Sequence, residues 1–399
     1  MKPNEEFYES SPLAWIRRDL EKLEKNTLRR YLQCCQANNK PGRLLLEGKE
    51  YINFSANDYL GLATNKTIQK VLYAQAKKIT SWGRGASPLV TGRTEEHASL
   101  EQTLAEWKKQ QAALLFTTGY AANIGTIGAL VGKEDFVYSD EKNHASIIDG
   151  VRLSGAQAVV YRHLDMDDLA KKLQKTKGQG SRRLIVTDTL FSMNGDIAPL
   201  EEIVTLAEQY GCMTMVDEAH ATGVFGKTGS GLCEEAGLSG KIDIQLGTLS
   251  KGLGSLGGFV AGDQVLIDYL ANRARSYVFS TALPPAVALA GTLAVEEIKR
   301  HPYWGEELLN KARWLRETLS KMGWDTGSSC SQIIPLIVKK AAVAVDISER
   351  LKNLGIWVPA IRPPSVASEE SLLRVSLSLA HQQDDLMTLV EGLRQLKVV

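Results

Sequence analysis

Lys251 stands alone among glycines and other small residues in the run Leu246-Gly-Thr-Leu-Ser-Lys-Gly-Leu-Gly-Ser-Leu-Gly-Gly258. A lysine in low-dielectric surroundings loses its proton readily, because such surroundings penalise the ammonium form. The neutral amine is a nucleophile and forms a Schiff base with an aldehyde, which makes Lys251 a candidate to hold pyridoxal 5'-phosphate (PLP). The glycines behind it then read as room for the cofactor and a mobile amine. Asp217 ends an apolar run and opens Asp217-Glu-Ala-His-Ala-Thr-Gly223. A carboxylate at a strand's carboxyl end can keep a pyridine nitrogen protonated, and the ring becomes an electron sink. His220 is placed to donate to the phenolic oxygen of such a ring. Gly119-Tyr120 follows Thr117-Thr118 where a helix should begin, and free N–H groups there suit a phosphate. His144 sits between a strand and a helix and could stack on a planar group. Ser192, in Phe191-Ser-Met-Asn-Gly-Asp196, also follows a strand end, and Thr248 lies three residues before the lysine. Each residue also has a plain use as a cap, a turn or a surface charge.

The elements that must position these residues alternate along the chain. Apolar runs at 113–116, 136–138, 158–161, 184–187 and 213–216 read as strands, and helical patterns separate them. This predicts an α/β fold whose central, mostly parallel sheet carries helices on both faces, with ligands at the carboxyl ends of the strands. Ahead of it, Leu13, Ile16, Leu20 and Leu23, followed by Leu28 and Leu32, predict an amphipathic helix that lays one face on something else. Beyond Pro284-Pro285 the texture changes, and strands at 333–338, 356–361 and 372–377 with helices at 343–353 and 384–396 predict a smaller α+β domain. The expected division is 1–52 for the N-terminal helix and segment, 53–295 for the large domain and 296–399 for the C-terminal one.

Composition narrows the function classes. The 399 residues carry 47 basic and 46 acidic side chains, a net charge of +1, with no basic block to invite nucleic acid. No run is apolar and long enough to span a bilayer, and Met1 to Phe7 lacks a secretory apolar stretch, so a cytoplasmic protein is expected. Five cysteines without Cys-x-x-Cys spacing suit reduced thiols and give no metal site. Two literal motifs fail on context. Gly252-Leu-Gly-Ser-Leu-Gly257 matches a dinucleotide fingerprint, but a strand, not a helix, should follow it, and no acid stands near Tyr277. Gly226-Lys-Thr228 resembles the end of a phosphate loop, but Ala221 occupies the place of its leading glycine.

Several long motifs in order resemble the α-oxoamine synthase family of fold-type-I PLP enzymes. They are Asn53-Phe-Ser-Ala-Asn-Asp-Tyr-Leu-Gly-Leu62, Phe191–Asp196, Val216–Gly223, Thr248-Leu-Ser-Lys-Gly252 and Phe279-Ser-Thr-Ala-Leu-Pro-Pro285. The resemblance implies that Lys251, Asp217, His144 and His220 are catalytic, and that Gly119, Tyr120, Ser192 and Thr248 help them hold PLP. It assigns Asn57 and Arg374 to an amino-acid carboxylate and Arg29 and Ser365 to an acyl thioester. Ser280-Thr281 would reach the phosphate of a partner subunit in a homodimer with shared sites. The stretch Ile356-Trp-Val-Pro-Ala-Ile-Arg-Pro-Pro-Ser-Val366 most resembles the branch that condenses L-alanine with a pimeloyl thioester, on coenzyme A or acyl carrier protein. Sister branches take glycine or serine. One departure is Pro88, where relatives often carry arginine or histidine; here Arg84 comes four residues earlier.

Overall fold

The computed structural model describes residues 11–36, 38, 40–76, 79 and 81–396; Met1 to Phe7 lie outside them. Short strands open the chain: β1 (Cys35–Gln36), β2 (Arg43–Leu46) and β3 (Lys49–Asn53). The central strands follow as β4 (Ala112–Phe116), β5 (Phe136–Asp140), β6 (Gln157–Tyr161), β7 (Arg183–Asp188), β8 (Met213–Asp217), β9 (Ile244–Thr248) and β10 (Gly258–Gly262). They form one seven-stranded sheet in the order β4-β10-β9-β8-β7-β5-β6. Every neighbouring pair is parallel except those made by β10, which runs against both β9 and β4. The predicted mostly parallel sheet is therefore present, with one reversed strand.

Alternation along each strand sends side chains to two separate cores, one per face. Leu115, Tyr138, Ile185, Val216 and Phe259 pack on one side. Leu114, Phe116, Val137, Leu184, Val186, Met215, Leu246 and Val260 pack on the other. Both faces are thus covered except along the edge strand β6, where Gln157, Ala158 and Val160 are exposed, and the strand ends are where a ligand fits. There Asp140, Asp188 and Asp217 end β5, β7 and β8, all buried.

The C-terminal strands are β11 (Ile333–Lys339), β12 (Ile356–Trp357), β13 (Ala360–Ile361) and β14 (Ser371–Ser376). The expected single strand over 356–361 is split. β12 joins β3 in a sheet of order β1-β2-β3-β12, whereas β13 joins β14 and β11. Pro359 lies at the break, where a missing N–H prevents continuous pairing, and its carbonyl instead accepts from the Arg374 N–H. The helix Pro285–Arg300 runs unbroken through 295 and 296. The N-terminal helix, Ala14–Lys25, ends short of Leu28 and Leu32 and has no buried residue. Leu13, Ile16, Leu20 and Leu23 stay exposed along it.

Candidate active site

Lys251 lies in the turn that joins β9 to β10, just past the last paired residues, Thr248 and Gly258. The turn is closed by its own backbone: Leu249 N–H donates to Gly257 O at 2.9 Å and Gly254 N–H to Lys251 O at 2.9 Å. The glycines here do not border open space. A Cβ on Gly252 would sit 2.5 Å from Thr222 O, one on Gly254 2.3 Å from Ala63 N, and one on Gly258 2.5 Å from Thr118 O. Gly254 also needs its positive φ of +59°. They are glycines so that three other backbone segments can close on the lysine turn. That replaces the expectation that they make room for a cofactor.

One hydrogen-bond chain runs outward from the amine. Lys251 Nζ is 2.7 Å from His220 Nε2, and His220 Nδ1 is 2.6 Å from Tyr59 Oη. Burial, then the Lys251 and Arg374 charges, holds the His220 imidazole well below its ordinary range. The ring is therefore neutral, and an ammonium at Lys251 donates to Nε2 while Nδ1–H donates to Tyr59. Tyr59 Oη donates to Asn57 Oδ1 at 3.2 Å, and that oxygen also accepts from Arg374 Nη1 at 3.1 Å. Arg374 is buried; its Nε donates to Ser192 O at 2.5 Å and its Nη2 approaches Tyr59 Oη at 3.5 Å. Enclosure, the largest influence on Lys251, outweighs the Asp217 and Asp188 charges and lowers its pKa to about 8. A sizeable fraction of the amine is then neutral under mildly alkaline conditions.

A second chain fixes Asp217 and His144. Asp217 Oδ2 accepts from Asn123 Nδ2 at 2.7 Å and Oδ1 from Ala219 N–H at 2.8 Å. Asn123 also donates to Ser146 Oγ at 2.9 Å, which leaves that hydroxyl to donate to His144 Nδ1 at 2.7 Å. The proton of a neutral His144 ring is thereby placed on Nε2. Burial lowers the His144 pKa, opposed by Asp217. Asp188 accepts from His144 N–H at 2.8 Å; burial and the Asp217 charge push its carboxyl well above the usual range.

The helix Gly119–Leu130 starts beside the lysine turn, and a Cβ on Gly119 would be 3.4 Å from Thr248. Thr118 caps the helix by accepting from Ala121 N–H at 3.0 Å. The N–H groups of Gly119 and Tyr120 precede any carbonyl that could receive them within the helix, which leaves them for an anion. Tyr120 meets His144 edge to face, its ring centroid 6.4 Å away, and bonds to Asp149 through its hydroxyl. Thr248 Oγ1 donates to Gly257 O at 2.7 Å and stands 2.9 Å from Ser250 Oγ. An enclosed amine, a buried carboxylate and an open helix N-terminus are the donor set that an aldehyde, a pyridine nitrogen and a phosphate require. The residues present fit PLP.

Arg29 and Ser365 meet different partners. Arg29 pairs with Glu24 at 3.5 Å and lies over the Tyr31 ring, while Ser365 Oγ accepts from Arg30 at 3.3 Å. Arg29, Arg30, Arg362 and Trp357 line a cleft of about 770 Å³. Sequence reasoning missed Tyr59, Asn123, Ser146 and Gln332. Gln332 Nε2 donates to His220 O at 2.8 Å. Asn123 carried a usable signal, being a polar residue four positions after Gly119 and so on the same helix face in an otherwise small, apolar run.

The aminotransferase class I and II family profile matches residues 49–393. An 8-amino-7-oxononanoate synthase of Symbiobacterium thermophilum is 44% identical over 368 residues, 92% of this chain and 93% of the relative. One from Thermoanaerobacter pseudethanolicus is 42% identical over 376 residues, 94% of each. Among solved structures, a serine palmitoyltransferase variant from S. paucimobilis with a bound PLP–myriocin adduct superposes with TM-score 0.90 at 30% identity, covering 96% of this chain and 98% of the other. The 8-amino-7-oxononanoate synthase of Francisella tularensis gives TM-score 0.74 at 26% identity, covering 86% and 97%. Backbone shape is shared across branches, and the curated relatives at 42–44% identity are 8-amino-7-oxononanoate synthases. The fold is that of a PLP transferase, and by sequence this chain belongs to the 8-amino-7-oxononanoate synthases within aminotransferase class I and II.

Proposed function

We propose that this PLP-dependent acyltransferase condenses L-alanine with a pimeloyl thioester, on coenzyme A or acyl carrier protein, releasing 8-amino-7-oxononanoate, CO₂ and the free thiol in biotin synthesis. The observation that carries the reading is the Lys251 amine, enclosed, without a carboxylate at bonding distance among the described residues, and linked through His220 and Tyr59 to Arg374. Bound PLP supplies an aldehyde for the amine and a ring that withdraws electrons from the substrate's α-carbon. Lys251 would hold the aldehyde and Asp217 the ring nitrogen. His220, with its proton on Nε2 and Nδ1 accepting from Tyr59 Oη once the ammonium no longer faces it, would hold the phenolic oxygen, with Gly119, Tyr120, Ser192 and Thr248 around the remainder.

The protein's own groups then divide the work. Arg374 and Asn57 take the alanine carboxylate, Arg374 giving up its long 3.5 Å contact to Tyr59 for a charged partner. Lys251, freed when the alanine amine takes its place on the aldehyde, would remove the α-proton as general base, and its enclosure, which lowers its pKa to about 8, favours the neutral amine. His144, with its proton on Nε2, donates to the acyl oxygen as the new ketone forms. Arg29, lining the 770 Å³ cleft, and Ser365, bonded to Arg30 of the same cleft, face the acyl thioester. Loss of CO₂ follows, and Lys251 returns the proton to carbon. Leu13, Ile16, Leu20 and Leu23, exposed on a helix with no buried residue, support a homodimer with Ser280 and Thr281 reaching the partner's phosphate. The five cysteines are all unpaired, which supports a cytoplasmic setting.

Mass spectrometry of products tests the reading directly, with alanine or glycine offered against pimeloyl and acetyl thioesters. Alanine with the pimeloyl thioester should give the major product. Exclusive use of glycine and the acetyl thioester would instead make the enzyme a glycine C-acetyltransferase. Nicotinamide binding, the other class of reading, has lost its footing, because Gly252 to Gly257 form a strand-to-strand turn and open no helix.

A further inference from the structure

His163 lies just past β6, at the same end of the sheet as Lys251, and sits between two buried carboxylates. Its Nδ1 is 2.9 Å from Asp140 Oδ1, and its Nε2 is 3.1 Å from Asp196 Oδ2. A neutral imidazole has one N–H, so one of two ionised carboxylates would face a lone pair; the doubly protonated ring satisfies both. The surroundings hold that form in place. Asp140 also accepts from the Leu164 and Lys142 N–H groups at 2.9 Å, and Asp196 from Ser328 Oγ at 2.8 Å. The edge of the ring meets Phe191 at 90°, centroids 4.5 Å apart. The charged and titratable groups around it are Asp140, Asp196 and Glu141, which accepts from the His163 N–H, with the Cys330 thiol near Asp196 on the C-terminal side.

Asp196 ends the loop that begins at Phe191, and the loop is held from three directions. Phe191 N–H donates to Asp196 O at 3.0 Å. Cys330 N–H and Ser331 Oγ both donate to Gly195 O, at 3.0 and 2.9 Å. Midway along the loop, Ser192 O receives Arg374 Nε at 2.5 Å. A charged staple thus sits at one end of a loop whose Ser192 carbonyl accepts from the buried guanidinium.

We propose that the His163 imidazolium is a positioning residue: by tying Asp140 to Asp196 it sets the Ser192 carbonyl and, through it, the aim of Arg374 at the amino-acid carboxylate. The proposal rests on reading Arg374 as that carboxylate site. The burial of His163 alone would lower its pKa, but the bonds to Asp140 and Asp196 outweigh this and raise it to about 9.

Kinetics of the PLP-loaded enzyme test it. His163→Gln should raise KM for L-alanine about 10-fold while KM for the pimeloyl thioester and cofactor affinity change less than about 2-fold. In His163→Gln/Asp196→Asn the Gln oxygen can accept from the Asn amide, and alanine KM should return to within about 3-fold of wild type. A single variant that loses only thermal stability, or shifts all parameters alike, overturns the proposal, as does a double variant no better than the single. Arg374→Lys serves as the control for the underlying reading. If it leaves alanine KM unchanged, the carboxylate assignment fails whatever His163 does. Nitrogen NMR of the wild-type enzyme, labelled at its six histidines, reads the staple without any variant. Two N–H protons on His163 at neutral pH are expected, and a singly protonated ring there overturns the proposal.

Discussion

Two lysines flank the same loop, residues 217–223, and meet opposite fates. Lys108 is fully buried, and its Nζ donates to Glu218 Oε2 at 2.6 Å, to Thr222 Oγ1 at 3.0 Å and to Ser230 O. The second Glu218 oxygen is also satisfied, by Cys233 N–H at 2.9 Å. Lys251 is mostly enclosed, yet the partner at bonding distance is the neutral His220 ring. Asp217 and Asp188 act on it only from farther away. A carboxylate in contact turns an enclosed lysine into structure, and its removal to longer range leaves an amine able to react. The loop serves both, with Glu218 and Thr222 committed to Lys108 while His220 reaches Lys251.

Substitutions can break this contrast at graded strength. Lys251→Ala should lower turnover at least ~10,000-fold with the fold intact, read by product formation and circular dichroism. An active variant would return Lys251 to the ordinary lysines. Lys108→Met strands the Glu218 charge and should cost about 3–5 kcal/mol in denaturant unfolding; Lys108→Met with Glu218→Leu should recover most of that loss. Lys251→Met in the cofactor-free protein should go the other way and stabilise it at neutral pH by on the order of 2 kcal/mol, a figure discounted because part of the side chain meets water. The sign follows from linkage. The folded pKa of about 8 lies below the ordinary 10.5, so the wild-type penalty is full below pH 8 and disappears as pH rises to 10.5. The advantage of the variant, measured by thermal melts, should vanish over that window. The smallest effect is chemical: a lysine-directed reagent should label Lys251 with a midpoint near pH 8 and leave Lys108 unmodified in the folded protein.

Much of this was legible in the residue order. The strand–helix alternation announced the sheet because period and length distinguish the two states, and Lys251, Asp217, His220 and Gly119 stood out by chemistry and punctuation. Their converging on one end of the sheet follows from parallel strands sharing a direction. Other features could not be read. Nothing local says that Gly254 faces Ala63 or that Gly258 faces Thr118, since those contacts join distant segments. Tyr59 stood within a quoted motif, but its bond to His220 spans 161 positions. His163 was not singled out in the sequence, where it is one polar residue after a strand, and only the fold supplies its two carboxylates. The break at Pro359 was visible as a proline, yet the strand was expected to continue through it.

The place of β10 in the sheet has a consequence for synthesis on the ribosome. Within the sheet β4 is bonded to β10 alone, and β10 is the last of the seven strands to be made. While residues 117–257 emerge, β4 has no strand of the sheet to pair with, although β5 to β9 can already assemble beside one another and receive the helix that begins at Gly119, whose Asn123 bonds to Asp217 at the end of β8. Insertion of β10 then joins β4 to the rest of the sheet and closes the lysine turn against the start of that helix. A nascent chain halted before Gly262 should therefore carry most of the sheet and no complete cofactor pocket.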